Sequence, residues 1–180
     1  MSADFLKKLT VSKLPTILLV GNGPSANELP LGEVVDAFHE VVRFNDYPQT
    51  SEYENMVGRR TTTWVLNEDQ TGNIRPPMGV SLVRILSEGF SSRFHAETKL
   101  VRSHEFIPNP SSGIVMAQTL IKQGIRVYTL GMDGYSGERR RYWETDSTGP
   151  VSDRRRHNQE MEQRFWNENR QTIIPIKDVV

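Results

Sequence analysis

The chain has no cysteine among its 180 residues. Disulfides, thiolate nucleophiles and cysteine-based zinc or iron–sulfur centres are therefore excluded. Histidine is sparse as well: four residues, at 39, 95, 104 and 157, are too scattered for a metal cluster. An excess of one charge is also missing, since 22 basic side chains face 22 acidic ones. The overall basic balance of a general nucleic-acid binder is thus not there. No apolar run approaches the ~20 residues needed to cross a bilayer. The opening segment MSADFLKKLTVSK lacks the long apolar centre of a secretory signal. The expectation is a cytoplasmic protein, one domain over 1–180 with residues 1–14 as an extension. At 20.6 kDa the chain is long enough to bury one sizeable core.

What is present is an alternation of short apolar runs and helical stretches. Thr16-Ile17-Leu18-Leu19-Val20 ends in glycine, as a parallel strand covered on both faces does. Further strands are expected at 40–44, 62–66, 99–101, 126–130 and 172–174. Val34, Val35 and Phe38 mark one helical stretch. Val115, Ala117, Leu120 and Ile121 make an apolar stripe at helical spacing, with Gly124 as a stop. A last helix is expected near 155–169. Residues 68–80 read as a polar loop. Residues 134–156, with Arg triplets at 139–141 and 154–156, read as a mobile one. The class is α/β with a mostly parallel twisted sheet flanked by helices. Ligands of such sheets bind beyond the carboxyl ends of the strands. Asn22, Asn45, Asn67 and Asp133, each just past a strand, are therefore the residues to watch. Exposed edges in so small a sheet also make a homodimer an expectation.

Five features could carry chemistry. Gly21-Asn22-Gly23-Pro24-Ser25-Ala26 fits G-x-G-x-x-A, where glycines let the backbone approach a phosphate, but a tight turn needs no ligand. The three asparagines offer both donors and acceptors to ribose, phosphate or base. Pro110-Ser111-Ser112-Gly113 begins a helix whose amides can hold an anion or simply be capped. His157, where a loop meets a helix, has the pKa range that proton abstraction from a hydroxyl needs. Glu162 lies five residues on, ~140° round a helix, which does not place it on one face with His157. Tyr135, Arg141, Tyr142 and Trp143 could donate to a leaving phosphate or cover a ligand, or only pack.

The order of these features resembles the sialyltransferases, above all the eukaryotic-type glycosyltransferase family 29. The long sialylmotif resembles ILLVGNGPSANELPLGEVVDAFHEVVRFNDYP followed by GRRTTTWVLN. The short motif resembles Pro110-Ser111-Ser112-Gly113 through VYTLGMDGY, which contains Gly131 and Asp133. The third resembles Tyr142-Trp143-Glu144. The very short motif resembles HNQEMEQ, with His157 and Glu162 as its H-x4-E. The GNGPS turn and the DGY segment are also similar to bacterial family 42 sialyltransferases of lipooligosaccharide synthesis.

The resemblance implies a single Rossmann-like domain, a sialyltransferase-like variant of the GT-A fold. It implies an inverting, metal-independent transfer of sialic acid, or a related ulosonic acid such as Kdo, from a CMP-activated donor to a glycan hydroxyl. Asn22, Gly23, Ser25, Asn45 and Asn67 would line the donor site with Ser111, Ser112, Gly113, Gly131, Asp133, Tyr135 and Trp143. His157 would be the general base, with Glu162 in its motif, and Tyr142 with Arg141 would stabilise the departing phosphate. Two departures stand out. The eukaryotic family joins its long and short motifs by a disulfide, which this chain lacks, favouring a bacterial or viral cytosolic origin. Its third motif usually begins with His, where Arg141 stands here. Two other readings stay open: an NAD-type oxidoreductase using the glycine turn, and a non-catalytic CMP-sugar-binding protein.

Overall fold

The computed structural model describes residues 16–67, 77–86, 99–102, 110–134, 141–143 and 158–180. Seven strands form one sheet: β1 (Ile17–Val20), β2 (Glu40–Phe44), β3 (Thr63–Leu66), β4 (Ser81–Leu86), β5 (Lys99–Arg102), β6 (Val127–Leu130) and β7 (Ile173–Pro175). Their order is β5-β4-β3-β2-β1-β6-β7. All six neighbouring pairs run parallel. The α/β, mostly parallel reading of the sequence is borne out. The helices are α1 (Gly32–Asp36), α2 (Glu54–Val57), α3 (Ser112–Lys122) and α4 (Gln159–Glu168), with 3₁₀ turns at Pro24–Asn27, Ser51–Tyr53 and Ile176–Asp178.

β1 is apolar throughout because both of its faces are covered. Leu18 and Val20 point into one cluster with Val34, Val35, Phe38 and Val41. Ile17 and Leu19 point into the other with Val42, Phe44, Val115 and Ala117. Leu18 and Leu19 are fully buried, which is worth about 1.5–3 kcal/mol each. α1 covers the first face. α3 covers the second, where Phe165 and Trp166 of α4 pack as well. Ser111 caps α3 by accepting from the amide of Ile114. Gly124 ends it in the left-handed region, φ 73°, with its amide on Ile121 O at 2.8 Å. That is the stop read from the sequence.

Two elements were not anticipated. β4 follows the turn at 77–80, where the sequence shows a loop running out into the mixed pattern Ser-Leu-Val-Arg-Ile-Leu. It becomes a strand because β3 supplies a paired edge, with Val83 opposite Val65. α2 is one turn long and too short to leave a periodic signal.

The strand order sets the site. From β1 to β5 the chain winds steadily to one side, then returns to place β6 against the other edge of β1. The turns after β1 and β6 therefore lie side by side at a switch in strand order, the position where open parallel sheets bind ligands.

Candidate functional site

The turn after β1 is locked to the turn after β6. Gly21 N donates to Leu130 O at 2.7 Å and Gly23 N to Gly131 O at 3.0 Å. The glycines serve this close approach. A Cβ on Gly131 (φ 67°) would stand 2.7 Å from Gly21 O and 2.8 Å from the Ala26 methyl. A Cβ on Gly23 would stand 2.8 Å from Gly131 O. The physical demand behind G-x-G-x-x-A in this chain is thus backbone meeting backbone.

Asp133 completes the lock. Its Oδ2 accepts from Ser25 N at 2.9 Å, and its Oδ1 accepts from the Ser25 hydroxyl. A carboxylate therefore occupies the amide that a phosphate would seek at a dinucleotide fingerprint. Its negative charge opposes a pyrophosphate there, which counts against the oxidoreductase reading.

The asparagines bind the strand ends to one another. Asn22 Nδ2 donates to Phe44 O at 3.0 Å and Asp46 O at 3.1 Å, tying the β1 turn to the end of β2. Asn45 takes a left-handed backbone, φ 49°, which asparagine tolerates better than most residues. Its side-chain oxygen accepts from Asn67 N at 3.0 Å, tying β2 to β3. Its carbonyl accepts from Trp64 Nε1 at 2.8 Å. The side-chain oxygen of Asn67 ends this chain of contacts, buried and without a hydrogen-bond partner.

Tyr142 joins the same rim from far along the sequence. Its amide donates to Asn22 O at 3.0 Å. Its ring meets Tyr53 and Trp143 edge-on, at centroid distances of 5.4 and 4.7 Å. Arg141 lies over the Trp143 ring at 5.3 Å. Tyr142 is 4% exposed, and its hydroxyl is buried with no partner. Burial pushes its phenol up to about 12, against an opposing pull from the Arg43 charge. The hydroxyl therefore stays protonated near neutral pH and able to donate.

A second junction lies at the start of α3. Glu162, 1% exposed on α4, accepts from Ser111 N at 2.8 Å and from the Ser111 hydroxyl at 3.0 Å. The anion expected at this helix end is supplied by the chain itself. Among the described residues, Ser112 and Gly113 have no side-chain or ionic partner. α4 opens on Asn158, whose side chain accepts from Met161 N at 3.1 Å. His157 precedes that cap directly and, like Tyr135, lies outside the described residues.

The structure thus gathers Asn22, Gly23, Ser25, Asn45, Asn67, Gly131, Asp133, Tyr142 and Trp143 around the ends of β1, β2, β3 and β6. It pairs Ser111 with Glu162 beside them. The sequence reading missed Arg43, which is 2% exposed on β2. The available signal was a charge set inside the otherwise apolar run Val41-Val42-Arg43-Phe44. Among the described residues no group of three or more His, Asp or Glu side chains could hold a metal ion. No helix among them is long and apolar enough to cross a membrane.

Comparison with known proteins bears on this site. The model of glycosyltransferase family 29 (sialyltransferase) matches residues 6–74, the stretch holding the β1 turn, Asn22, Asn45 and Asn67. A mammalian sialyltransferase solved with Gal-beta-1-3GalNAc-ortho-nitrophenol is 18% identical, with a TM-score of 0.62 over 94% of this chain and 72% of the other. A further structure of a mammalian sialyltransferase gives 18% identity and 0.63 over 94% and 71%. The sialyltransferase CstII from Campylobacter jejuni, solved with cytidine-5'-monophosphate, gives 14% identity and 0.51 over 91% and 80%. No curated protein sequence matches. The resemblance to both kinds of sialyltransferase is borne out, the fold is theirs, and the family match indicates a glycosyltransferase.

Proposed function

We propose that this protein transfers sialic acid, or a related ulosonic acid such as Kdo, from a CMP-activated donor to a glycan hydroxyl. The observation that carries the reading is the docking of Tyr142 on Asn22, with a buried hydroxyl that has no partner. A neutral phenol held at the switch in strand order is suited to donate to a departing phosphate. Asn67, with an unpartnered buried acceptor, suits a hydroxyl or amino group of the nucleotide.

In this reading the reaction is a single displacement. The acceptor oxygen attacks the anomeric carbon of the donor as its proton passes to His157. The bond from that carbon to the phosphate oxygen breaks, and CMP leaves with the electron pair. Tyr142, aided by the Arg141 charge, receives the growing negative charge on phosphate. One displacement inverts the anomeric centre, and no enzyme nucleophile or metal is needed. What supports His157 as the base is the helix that follows it. His157 stands next to the Asn158 cap of α4, and Glu162 of that helix is fixed to Ser111 at the rim.

The test is thermal stability with CMP, UMP and NAD, since a ligand of the folded state raises its melting temperature by mass action. CMP is expected to stabilise and NAD not. Incubation with CMP-Neu5Ac or CMP-Kdo and candidate glycans should then release CMP. Binding without any release in the presence of acceptors would reduce the protein to a CMP-sugar-binding one.

A further inference from the structure

Arg43 is a buried cation that the reaction above does not use. Its Nε donates to Arg60 O and Thr61 Oγ1, both at 3.1 Å. Its Nη2 donates to Val57 O at 2.6 Å and Gly58 O at 3.0 Å. All four acceptors are uncharged. Among the described residues no carboxylate lies within ion-pair distance of it. Asp36 exerts some pull on the guanidinium, but its Oδ1 is turned to the amides of Arg59 and Arg60, at 2.9 and 2.8 Å. The guanidinium lies 5.3 Å from the centroid of the Tyr47 ring. The Tyr47 hydroxyl in turn meets Thr61 Oγ1 at 3.1 Å.

Neutral donors could satisfy those carbonyls, so hydrogen bonding does not account for the charge. A guanidinium stays ionised when buried, and an unmatched buried charge is strongly unfavourable without a counter-ion. Arg43 lies on the β2 face that also carries Val41, next to the cluster that holds Tyr142. Arg43 Nη2 holds Val57 O at the end of α2, and Tyr53, which caps the start of α2, meets the Tyr142 ring at 5.4 Å. The Arg43 charge also pulls on the Tyr142 phenol. The hydroxyl that lacks a partner and the cation that, among the described residues, lacks an anion thus belong to one corner of the molecule.

We propose that Arg43 is a positioning residue for the anionic part of the ligand, its guanidinium supplying the positive potential that holds a phosphate at the Tyr142 hydroxyl. The proposal rests on the CMP-sugar reading and adds to it a residue that works from beneath the site without touching the ligand.

The experiment is calorimetric titration of the full chain and of Arg43→Gln and Arg43→Lys with two probes, CMP and cytidine. Arg43→Gln is expected to weaken CMP about tenfold or more while leaving cytidine within about twofold. Arg43→Lys keeps the charge and should hold the wild-type ratio of the two affinities. Where Arg43→Gln does not fold, Arg43→Lys decides. A lysine variant whose ratio falls about tenfold overturns the proposal, because charge is then not what matters. Parallel loss of both ligands in Arg43→Gln also overturns it and leaves a purely structural arginine. Failure of the wild-type chain to bind CMP removes the nucleotide reading and this inference together.

Discussion

The carboxylate of Glu162 grips Ser111 twice, through the backbone amide at 2.8 Å and the hydroxyl at 3.0 Å. It joins α4 to the first turn of α3 with both partners buried. An anion at a helix N-terminus is favourable, and hydrogen bonds to a charged acceptor are stronger than neutral ones. Glu162→Gln should therefore destabilise by about 1–3 kcal/mol. Ser111→Ala should also destabilise, by about 1–2 kcal/mol. The two losses should add to less than their sum, because they break one contact. Urea unfolding of the two single variants and the double variant checks this, and full additivity would mean that the bracket does not act as a unit.

Tyr142→Phe separates function from stability. The ring packing stays, and an unpartnered buried hydroxyl is removed. Stability should hold or rise by up to about 1 kcal/mol. The transfer rate should fall by ~10²-fold or more, as when one donor to a developing anion is lost. A variant with normal turnover would take Tyr142 out of the leaving-group role.

The same phenol gives an alkaline signature. Its folded value is raised from 10.0 to about 12, chiefly by burial. The unfolded chain thus loses the proton first as pH rises. The stabilisation is complete below pH ~10 and is lost between there and ~12. Unfolding midpoints over that window should fall less steeply for Tyr142→Phe than for the wild type. Identical slopes would show that Tyr142 titrates normally.

Two glycines of similar backbone should respond very differently to alanine. Gly124 (φ 73°) has nothing within 4 Å of a built Cβ, whereas Gly131 (φ 67°) would press on Gly21 O and Ala26. Gly124→Ala should cost about 1 kcal/mol, the left-handed backbone alone. Gly131→Ala should cost several kcal/mol, because the turns after β1 and β6 must part. Equal denaturation midpoints for the pair would contradict the close approach described above.

His157→Ala should abolish transfer while CMP binding persists, and EDTA should leave wild-type transfer unchanged. Near-normal turnover in the variant excludes the base role. Loss of activity to EDTA, restored by a divalent cation, excludes the metal-independent reaction.

Much of the scaffold was legible because its signals are local. Ile-Leu-Leu-Val before a glycine, Ser111 before an apolar helical stripe and Gly124 after it each announce themselves within a few residues. β4 was not legible, because Ser81–Leu86 becomes a strand through the edge that β3 offers. The asparagines were correctly placed at strand ends. Their partners were hidden, since Asn22 reaches Phe44 and Asp46, and Asn45 reaches Asn67, across the sheet.

The sequence by itself determined the alternation of strands and helices, the absence of cysteine chemistry and the residue types available at the strand ends. Those follow from covalent composition and short-range periodicity. Only the tertiary structure decided that Asp133 closes the glycine turn, that Glu162 fills the anion seat of α3, and that Tyr142 and Asn67 keep buried polar atoms without partners. Each of these depends on which distant segment arrives at a given rim. That is settled by the order in which parallel strands pack, which no local pattern encodes.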